Sequence, residues 1–124
     1  MANDYTQIGS DVIRGYIDLM LLRVLCDGDS YGYEIGKSIT RLSKDGYTMK
    51  ETTLYSAFAR LEKLGYIRPY PGTYSGGRER TYYALTDQGR EHYRQKCREW
   101  ALTKELIMNF IMEDNINGSN QNLY

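Results

Sequence analysis

The sequence predicts a mostly α-helical protein with one small β-hairpin wing and a long C-terminal helix. Three stretches before residue 65 carry apolar residues at helical spacing, and each is followed by a glycine. After Gly65 the apolar period becomes two over a pair of short segments. A final stretch with alternating spacings of four and three residues then resembles one seam of a coiled coil.

The first helix is predicted over residues 11–26, after a polar, flexible segment at residues 1–10. Ser10 and Asp11 are alternative N-caps, and the Asp27-Gly28 pair ends the helix. Its apolar residues lie on nearly all sides. Such a helix is expected at the centre, covered by other helices or by a second subunit.

The second helix is predicted to begin at a Ser30 cap and to place Ile35, Ile39 and Leu42 on one stripe. The third follows a capping-box pattern that joins Thr48 and Glu51. It buries Leu54, Phe58 and Leu61 and ends at Leu64-Gly65. Its opposite face is small, polar or basic: Thr52, Ser56, Ala59, Arg60 and Lys63.

Two strands are predicted at residues 66–68 and 81–85, joined by a loop over residues 69–80 with a Gly76-Gly77 tip. Thr86-Asp87 then caps the last helix, which runs to about Met112. The seam of this helix carries Tyr93, Cys97, Trp100, Lys104, Ile107 and Ile111. Residues 113–124 are predicted to be a disordered tail.

Composition excludes several classes of protein. The 124 residues suit one domain of ordinary size, and two cysteines with a single histidine leave no zinc cluster, no other metal site and no disulfide scaffold. No nucleotide-binding glycine motif and no catalytic triad is present, so we expect neither an enzyme nor a cofactor. No signal peptide or membrane span is predicted, and both cysteines are expected to be small buried residues of a cytoplasmic protein.

Net charge is zero, with 16 basic and 16 acidic residues, which at first argues against nucleic acid. The charges are not evenly spread, however. Residues 60–98 hold nine Lys and Arg against four acids, and the acids lie mainly in the flanking segments. A zero sum can therefore conceal a basic face.

The predicted order of elements is three helices, a hairpin and a long helix. This is the order found in a winged helix-turn-helix with a dimerisation helix. The predicted parts are the DNA-binding domain at residues 11–85 and the dimerisation helix at residues 86–112. The third helix suits a major groove, and the hairpin tip is flanked by Arg78 and Arg80, which can reach phosphates.

Five ordered motifs resemble the PadR family of bacterial transcriptional regulators: YGYEI from Tyr31, TLY from Thr53, RLEKLGYI from Arg60, GRERTYY from Gly77 and LTDQG from Leu85. The resemblance covers about residues 12–112. It implies a homodimeric winged-helix repressor with a short single C-terminal helix, similar to the members that sense drug-like aromatic molecules. Trp100 matches a tryptophan that stacks on the ligand in those members.

The predicted DNA contacts are Lys50, Thr52, Thr53, Tyr55, Ser56, Arg60, Lys63, Arg78 and Arg80. The predicted site for a small aromatic effector comprises Asp18, Leu19, Trp100 and Lys104. The predicted dimer contacts are Tyr16, Tyr93, Cys97, Trp100, Ile107 and Ile111.

Several alternatives stay open at this stage. Trp100 is either a ligand platform or plain interface core, and Lys63 is either a phosphate contact or a charge that stabilises a helix C-terminus. The two functional hypotheses are a repressor on a pseudo-palindromic operator and a winged-helix module for protein–protein contact without specific DNA binding.

Overall fold

A computed structural model describes residues 5–73, 77 and 79–115 of the chain. These residues form five α-helices and a small antiparallel sheet, so the predicted fold class is confirmed. The chain divides into two compact units, the N-terminal unit Met1–Arg94 and the C-terminal unit Gln95–Tyr124. Arg78 falls outside the described residues, as do residues 1–4, 74–76 and 116–124.

The predicted first helix is interrupted, so its prediction as one element was wrong. Helix α1 spans Ser10–Arg14 and α2 spans Ile17–Cys26. Between them the amides of Gly15 and Tyr16 donate hydrogen bonds to the carbonyls three residues earlier, which tightens the turn. The N-cap of α1 is Gly9, with no side-chain cap from Ser10 or Asp11. Five apolar residues of α2 are buried, and α2 packs against three other elements, as expected of a central helix.

A two-residue strand, β1 (Ser30–Tyr31), stands where the sequence predicted a helix cap. Helix α3 (Gly32–Leu42) therefore begins after Tyr31, without a side-chain cap from Ser30. Pairing with a distant strand satisfies the backbone of Ser30 and Tyr31, and no local pattern reports such a pairing.

The turn between α3 and α4 (Glu51–Lys63) uses left-handed backbone at Lys44 and Asp45, with φ of 57° and 64°. The Ser43 hydroxyl accepts a hydrogen bond from the Tyr47 amide at 2.9 Å and closes this turn. The N-cap of α4 is Lys50, with no side-chain cap, so the predicted Thr48–Glu51 capping box was wrong. The N-cap therefore lies two residues later than that pattern required, and its backbone is extended.

The hairpin is longer than predicted. Strands β2 (Ile67–Thr73) and β3 (Glu79–Leu85) pair from Ile67↔Leu85 to Thr73↔Glu79, and the sheet order is β1-β3-β2. Sequence analysis placed Pro69 and Pro71 in a loop. Strand β2 accommodates both because it lies at the edge of the sheet, where a missing backbone N–H can face away from the neighbouring strand.

The junction between α4 and α5 (Asp87–Met108) is fixed by backbone contacts. Gly65 ends α4 at φ of 83°, a conformation that favours glycine. The Thr86 hydroxyl donates to the Gly65 carbonyl at 2.7 Å and accepts from the Gly89 amide at 2.9 Å, which confirms the predicted cap at Thr86. A Cβ on Gly89 would collide with the Tyr66 carbonyl, so glycine is required there.

Helix α5 ends at Met108, short of the predicted Met112. A 3-10 turn follows at Glu113–Asn115, within the segment that was predicted to be a disordered tail. The rest of that segment lies outside the described residues. From Gln95 to Asn115 no residue is buried.

The core of the N-terminal unit joins α2, α3, α4 and the sheet. Its largest fully buried side chains are Phe58, Leu21, Leu22, Ile35 and Leu61. The Phe58 ring stacks on Tyr83 of β3, with 4.3 Å between ring centroids. This packing fixes the position of α4 relative to the hairpin, which we call the wing.

Candidate nucleic-acid interface

Helix α4 has two chemically distinct faces. Leu54, Ala57, Phe58 and Leu61 face the core and are buried. The opposite side, which we call the outer face of α4, is exposed and carries five of the predicted contact residues: Thr52, Tyr55, Ser56, Arg60 and Lys63. Thr53 is half-buried at its margin, and Lys50 is exposed at the N-terminal end of the helix.

Acidic side chains flank the outer face of α4 without lying in its middle. Glu51 stands in the first turn and Glu62 near the last, and both are exposed. Hydroxyl groups and a guanidinium at the centre are the donors and acceptors that base edges in a major groove require. The centre of the face thus has the chemistry that the sequence predicted.

Tyr55 has part of its ring packed and part of it in solvent. The ring meets Phe58 edge-on at 5.4 Å between centroids, and 49% of Tyr55 remains exposed. A Cβ on Gly32 would collide with the Tyr55 hydroxyl, so the glycine at the start of α3 makes room for this side chain. Packing fixes the direction of the hydroxyl towards the surface shared by α3, α4 and β3.

Near the start of β3, the wing brings Arg80 close to Tyr55. Both residues line one shallow cleft together with Tyr31 and Thr81. The Arg80 guanidinium lies over the Tyr31 ring, 4.2 Å from its centroid. A cation held against an aromatic face keeps its charge while losing much of its freedom, so Arg80 is presented beside α4.

A ladder of tyrosines supports the wing. Tyr82 meets Tyr31 edge-on at 5.4 Å and stacks on Tyr70 at 5.8 Å. The Tyr70 hydroxyl donates to Asp29 Oδ2 at 2.6 Å, and this hydrogen bond raises the pKa of Tyr70 above its ordinary value. Three of the 13 tyrosines of the chain thus have a structural role in this sheet.

Arg60 is engaged within the protein. Its Nη1 donates to Asp18 Oδ1 at 2.6 Å, while 48% of the Arg60 side chain stays exposed. The second oxygen of Asp18 lies 3.5 Å from His92 Nε2. Asp18 was predicted to contact an effector, and in the N-terminal unit its Oδ1 accepts the hydrogen bond from Arg60 while its Oδ2 lies near His92.

Arg14 is a basic residue that sequence reasoning missed. It is exposed at the end of α1 and lines a groove with Thr52, Ser56 and Arg60. Because residues 11–26 were predicted to form one core helix, Arg14 was not among the predicted DNA contacts. The break after α1 places Arg14 beside the outer face of α4.

The predicted effector and dimer residues divide between the two units. Asp18, Leu19, Tyr16 and Tyr93 belong to the N-terminal unit, where Tyr93 is partly buried against the core. The C-terminal unit carries the remainder: Cys97, Trp100, Lys104, Ile107 and Ile111. Cys26 and Cys97 are both half-buried, so the prediction that both are buried residues was wrong.

The C-terminal unit exposes many large apolar side chains. Trp100 is 46% exposed and Ile107 is 48% exposed. The others are Leu102, Leu106, Met108, Phe110, Ile111 and Met112.

Residues 5–73, 77 and 79–115 contain no group of three or more potential metal-ligating side chains. Among the same residues, no helix is both long and apolar enough to cross a membrane.

Comparison with known proteins identifies the family. Residues 21–95 match the transcriptional regulator PadR-like family. A transcriptional regulator from Clostridium thermocellum is 55% identical, with a TM-score of 0.77 over 85% of this chain and 99% of that one. A PadR family transcription regulator from Clostridium difficile is 36% identical, with a TM-score of 0.66 over 77% of this chain and 97% of that one.

A protein of uncharacterized function from Lysinibacillus sphaericus is 41% identical over 100 residues, which are 81% of this chain and 92% of the relative. The family match extends from α2 into α5 and includes the whole outer face of α4 and the wing. The chain belongs to the PadR-like family of transcriptional regulators, and it is therefore a DNA-binding regulator and not an enzyme.

Proposed function

We propose that the protein is a cytoplasmic homodimeric repressor that binds a pseudo-palindromic operator. The observation that carries the proposal is the exposed polar and basic outer face of α4 beside a wing that presents Arg80. In each half-site α4 enters the major groove, and the wing contacts the flanking backbone.

The contacts divide by chemistry. Thr52, Ser56 and Arg60 stand at the centre of the face and reach base edges. Residues at the margins reach phosphates: Lys50, Thr53, Tyr55, Lys63 and Arg80, together with Arg14. Arg78, which lies outside the described residues, is proposed as a further phosphate contact from the sequence alone. Because the net charge of the chain is zero, we expect only modest non-specific affinity for DNA, so binding requires a correct dimer as well as a good site.

The homodimer is proposed from the exposed apolar surface of the C-terminal unit. A helix that leaves Trp100 and Ile107 about half exposed is stabilised when an equivalent helix covers them. Two copies of the predicted seam then form a self-complementary contact through Tyr93, Cys97, Trp100, Ile107 and Ile111. Tyr16 is the remaining predicted dimer contact.

We further propose a planar aromatic effector that binds between subunits against Trp100, with Lys104, Asp18 and Leu19 as its other predicted contacts. Such a ligand releases the operator only if it binds the non-operator geometry more tightly than the operator geometry. Quenching of Trp100 fluorescence by a panel of planar aromatic compounds tests this part. Absence of quenching, or normal induction in Trp100→Ala, contradicts it.

The DNA-binding proposal is tested by fluorescence anisotropy on the upstream region of the gene at several salt concentrations. We expect the logarithm of the binding constant to fall linearly with the logarithm of salt concentration. Arg80→Ala should reduce the slope by about one for each subunit, because one phosphate contact is lost per subunit.

Arg94→Ala is the matched control, since Arg94 is exposed on α5 and pairs with Glu91 within the same helix. It should leave the slope unchanged. Weak binding that does not depend on salt contradicts the proposal and favours a winged-helix module for protein–protein contact.

A further inference from the structure

Asp18 lies where three helices of the N-terminal unit meet. It belongs to α2, yet its carboxylate contacts Arg60 of α4 and His92 of α5. Only 15% of the Asp18 side chain is exposed, compared with 48% of Arg60. The ion pair therefore joins a largely buried carboxylate to a guanidinium side chain that is about half exposed on the outer face of α4.

The surroundings of Asp18 hold its carboxylate in place. His92 stacks on Tyr66, with 4.1 Å between ring centroids and 10° between ring planes. The Tyr66 carbonyl in turn accepts a hydrogen bond from the Thr86 amide at 3.1 Å, within the junction between α4 and α5 described above. A carboxylate held between fixed groups restricts the arginine that binds it.

A restrained arginine differs from a free one in two ways. An arginine that is already ordered loses less side-chain entropy when it binds DNA. Its neighbouring carboxylate also offsets part of its charge, so its attraction to an arbitrary phosphate is weaker. Both effects favour a contact of defined geometry over non-specific backbone contact.

We infer that Asp18 is a specificity-determining positioning residue, which orients Arg60 towards the acceptor atoms of a base, most naturally the O6 and N7 of guanine, in the major groove. The inference rests on the proposed function and deepens it. Asp18 does not contact DNA and acts through Arg60. Since Asp18 Oδ1 occupies only Nη1, the guanidinium keeps N–H donors for a base.

The test compares Asp18→Asn with the unchanged protein in anisotropy titrations on operator DNA and on scrambled DNA of the same length and composition. We expect binding to scrambled DNA to strengthen and the ratio of operator to scrambled affinity to fall roughly tenfold, the worth of one oriented base contact. Asp11→Asn is the matched control, because Asp11 is an exposed acid on α1, and its ratio should stay unchanged.

A double-mutant cycle separates positioning from a general structural role. In an Arg60→Gln background, Asp18→Asn should change the ratio by less than about twofold, because the residue to be oriented is absent. Asp18→Glu retains the charge but displaces it by one methylene. If Asp18→Asn does not fold, Asp18→Glu should still lower the ratio, without strengthening binding to scrambled DNA.

The outcomes are distinct. If the unchanged protein prefers its operator and Asp18→Asn keeps the same preference, this inference is overturned while the proposed function stands. An equal loss of preference in the presence and absence of Arg60 also overturns it. If the unchanged protein binds operator and scrambled DNA equally, both the proposed function and this inference fail.

Discussion

The two units of the chain differ in how their apolar residues are covered. In the N-terminal unit, Phe58, Leu61 and Leu21 are almost completely buried by other parts of the same unit. In the C-terminal unit, Phe110 is 77% exposed and Leu102 is 66% exposed, and none of its described residues is buried. The two units contain similar side chains in opposite environments.

This difference separates two sources of stability. Burial within one chain stabilises the N-terminal unit at any protein concentration. Apolar residues that a second copy covers stabilise the protein by an amount that depends on concentration. The proposed DNA-binding surface therefore lies on a unit whose core needs no second copy, while the exposed apolar residues of the C-terminal unit are the ones that the proposed dimerisation would cover.

The largest expected effect comes from a substitution in the core. Phe58→Ala removes a ring that is 2% exposed and stacks on Tyr83. It should lower the free energy of unfolding by about 3–5 kcal/mol. Urea unfolding followed by circular dichroism measures this loss, which we expect to be similar at all protein concentrations.

Phe110→Ala is the matched substitution in the C-terminal unit, at a residue that is 77% exposed and adjacent to the predicted seam residue Ile111. Its effect on the unfolding midpoint should shrink as dilution dissociates the proposed dimer. If Phe110→Ala lowers the free energy of unfolding of the monomer as much as Phe58→Ala does, the proposed difference in how the two units are stabilised is wrong.

Ile107→Glu is expected to affect folding less than Phe58→Ala does, but to weaken the association of two copies strongly. A charge in the predicted seam would be buried without a partner when two copies meet. We expect the dimer dissociation constant to rise about 30-fold or more, as for residues that dominate an interface. Sedimentation equilibrium measures this constant.

Gln95→Glu is the control, because it introduces the same charge on the same helix, away from the predicted seam, at an exposed residue. It should leave the dissociation constant within about twofold. Equal weakening by both substitutions would show that net charge, and not the seam, is responsible.

Much of the fold could be predicted because its signals are local. The order of the helices, the stop at Gly65 and the cap at Thr86 follow from residues that are neighbours in the sequence. The predicted Thr48–Glu51 capping box failed although its spacing was correct, because the chain enters α4 at Lys50. Strand β1 and the full length of β2 depend on pairing with β3, which local patterns do not report.

The site was predictable in part for the same reason. The two faces of α4 follow from helical periodicity, so the predicted outer residues Thr52, Ser56 and Lys63 are all exposed. The contact between Asp18 and Arg60 joins residues 42 positions apart, and the sequence contains no signal for it. The sequence predicted Asp18 only as an effector contact, because its contact with Arg60 depends on the packing of α2 against α4.

The most direct test of the central claim, that the outer face of α4 contacts operator DNA, is the operator affinity of Ser56→Asp. Ser56 is exposed at the centre of that face, so a carboxylate there would repel DNA while the core stays intact. We expect operator binding to fall at least about 100-fold, and Asn109→Asp, an exposed site in the C-terminal unit, to bind as the unchanged protein does. Operator affinity in Ser56→Asp equal to that of the unchanged protein would contradict the account.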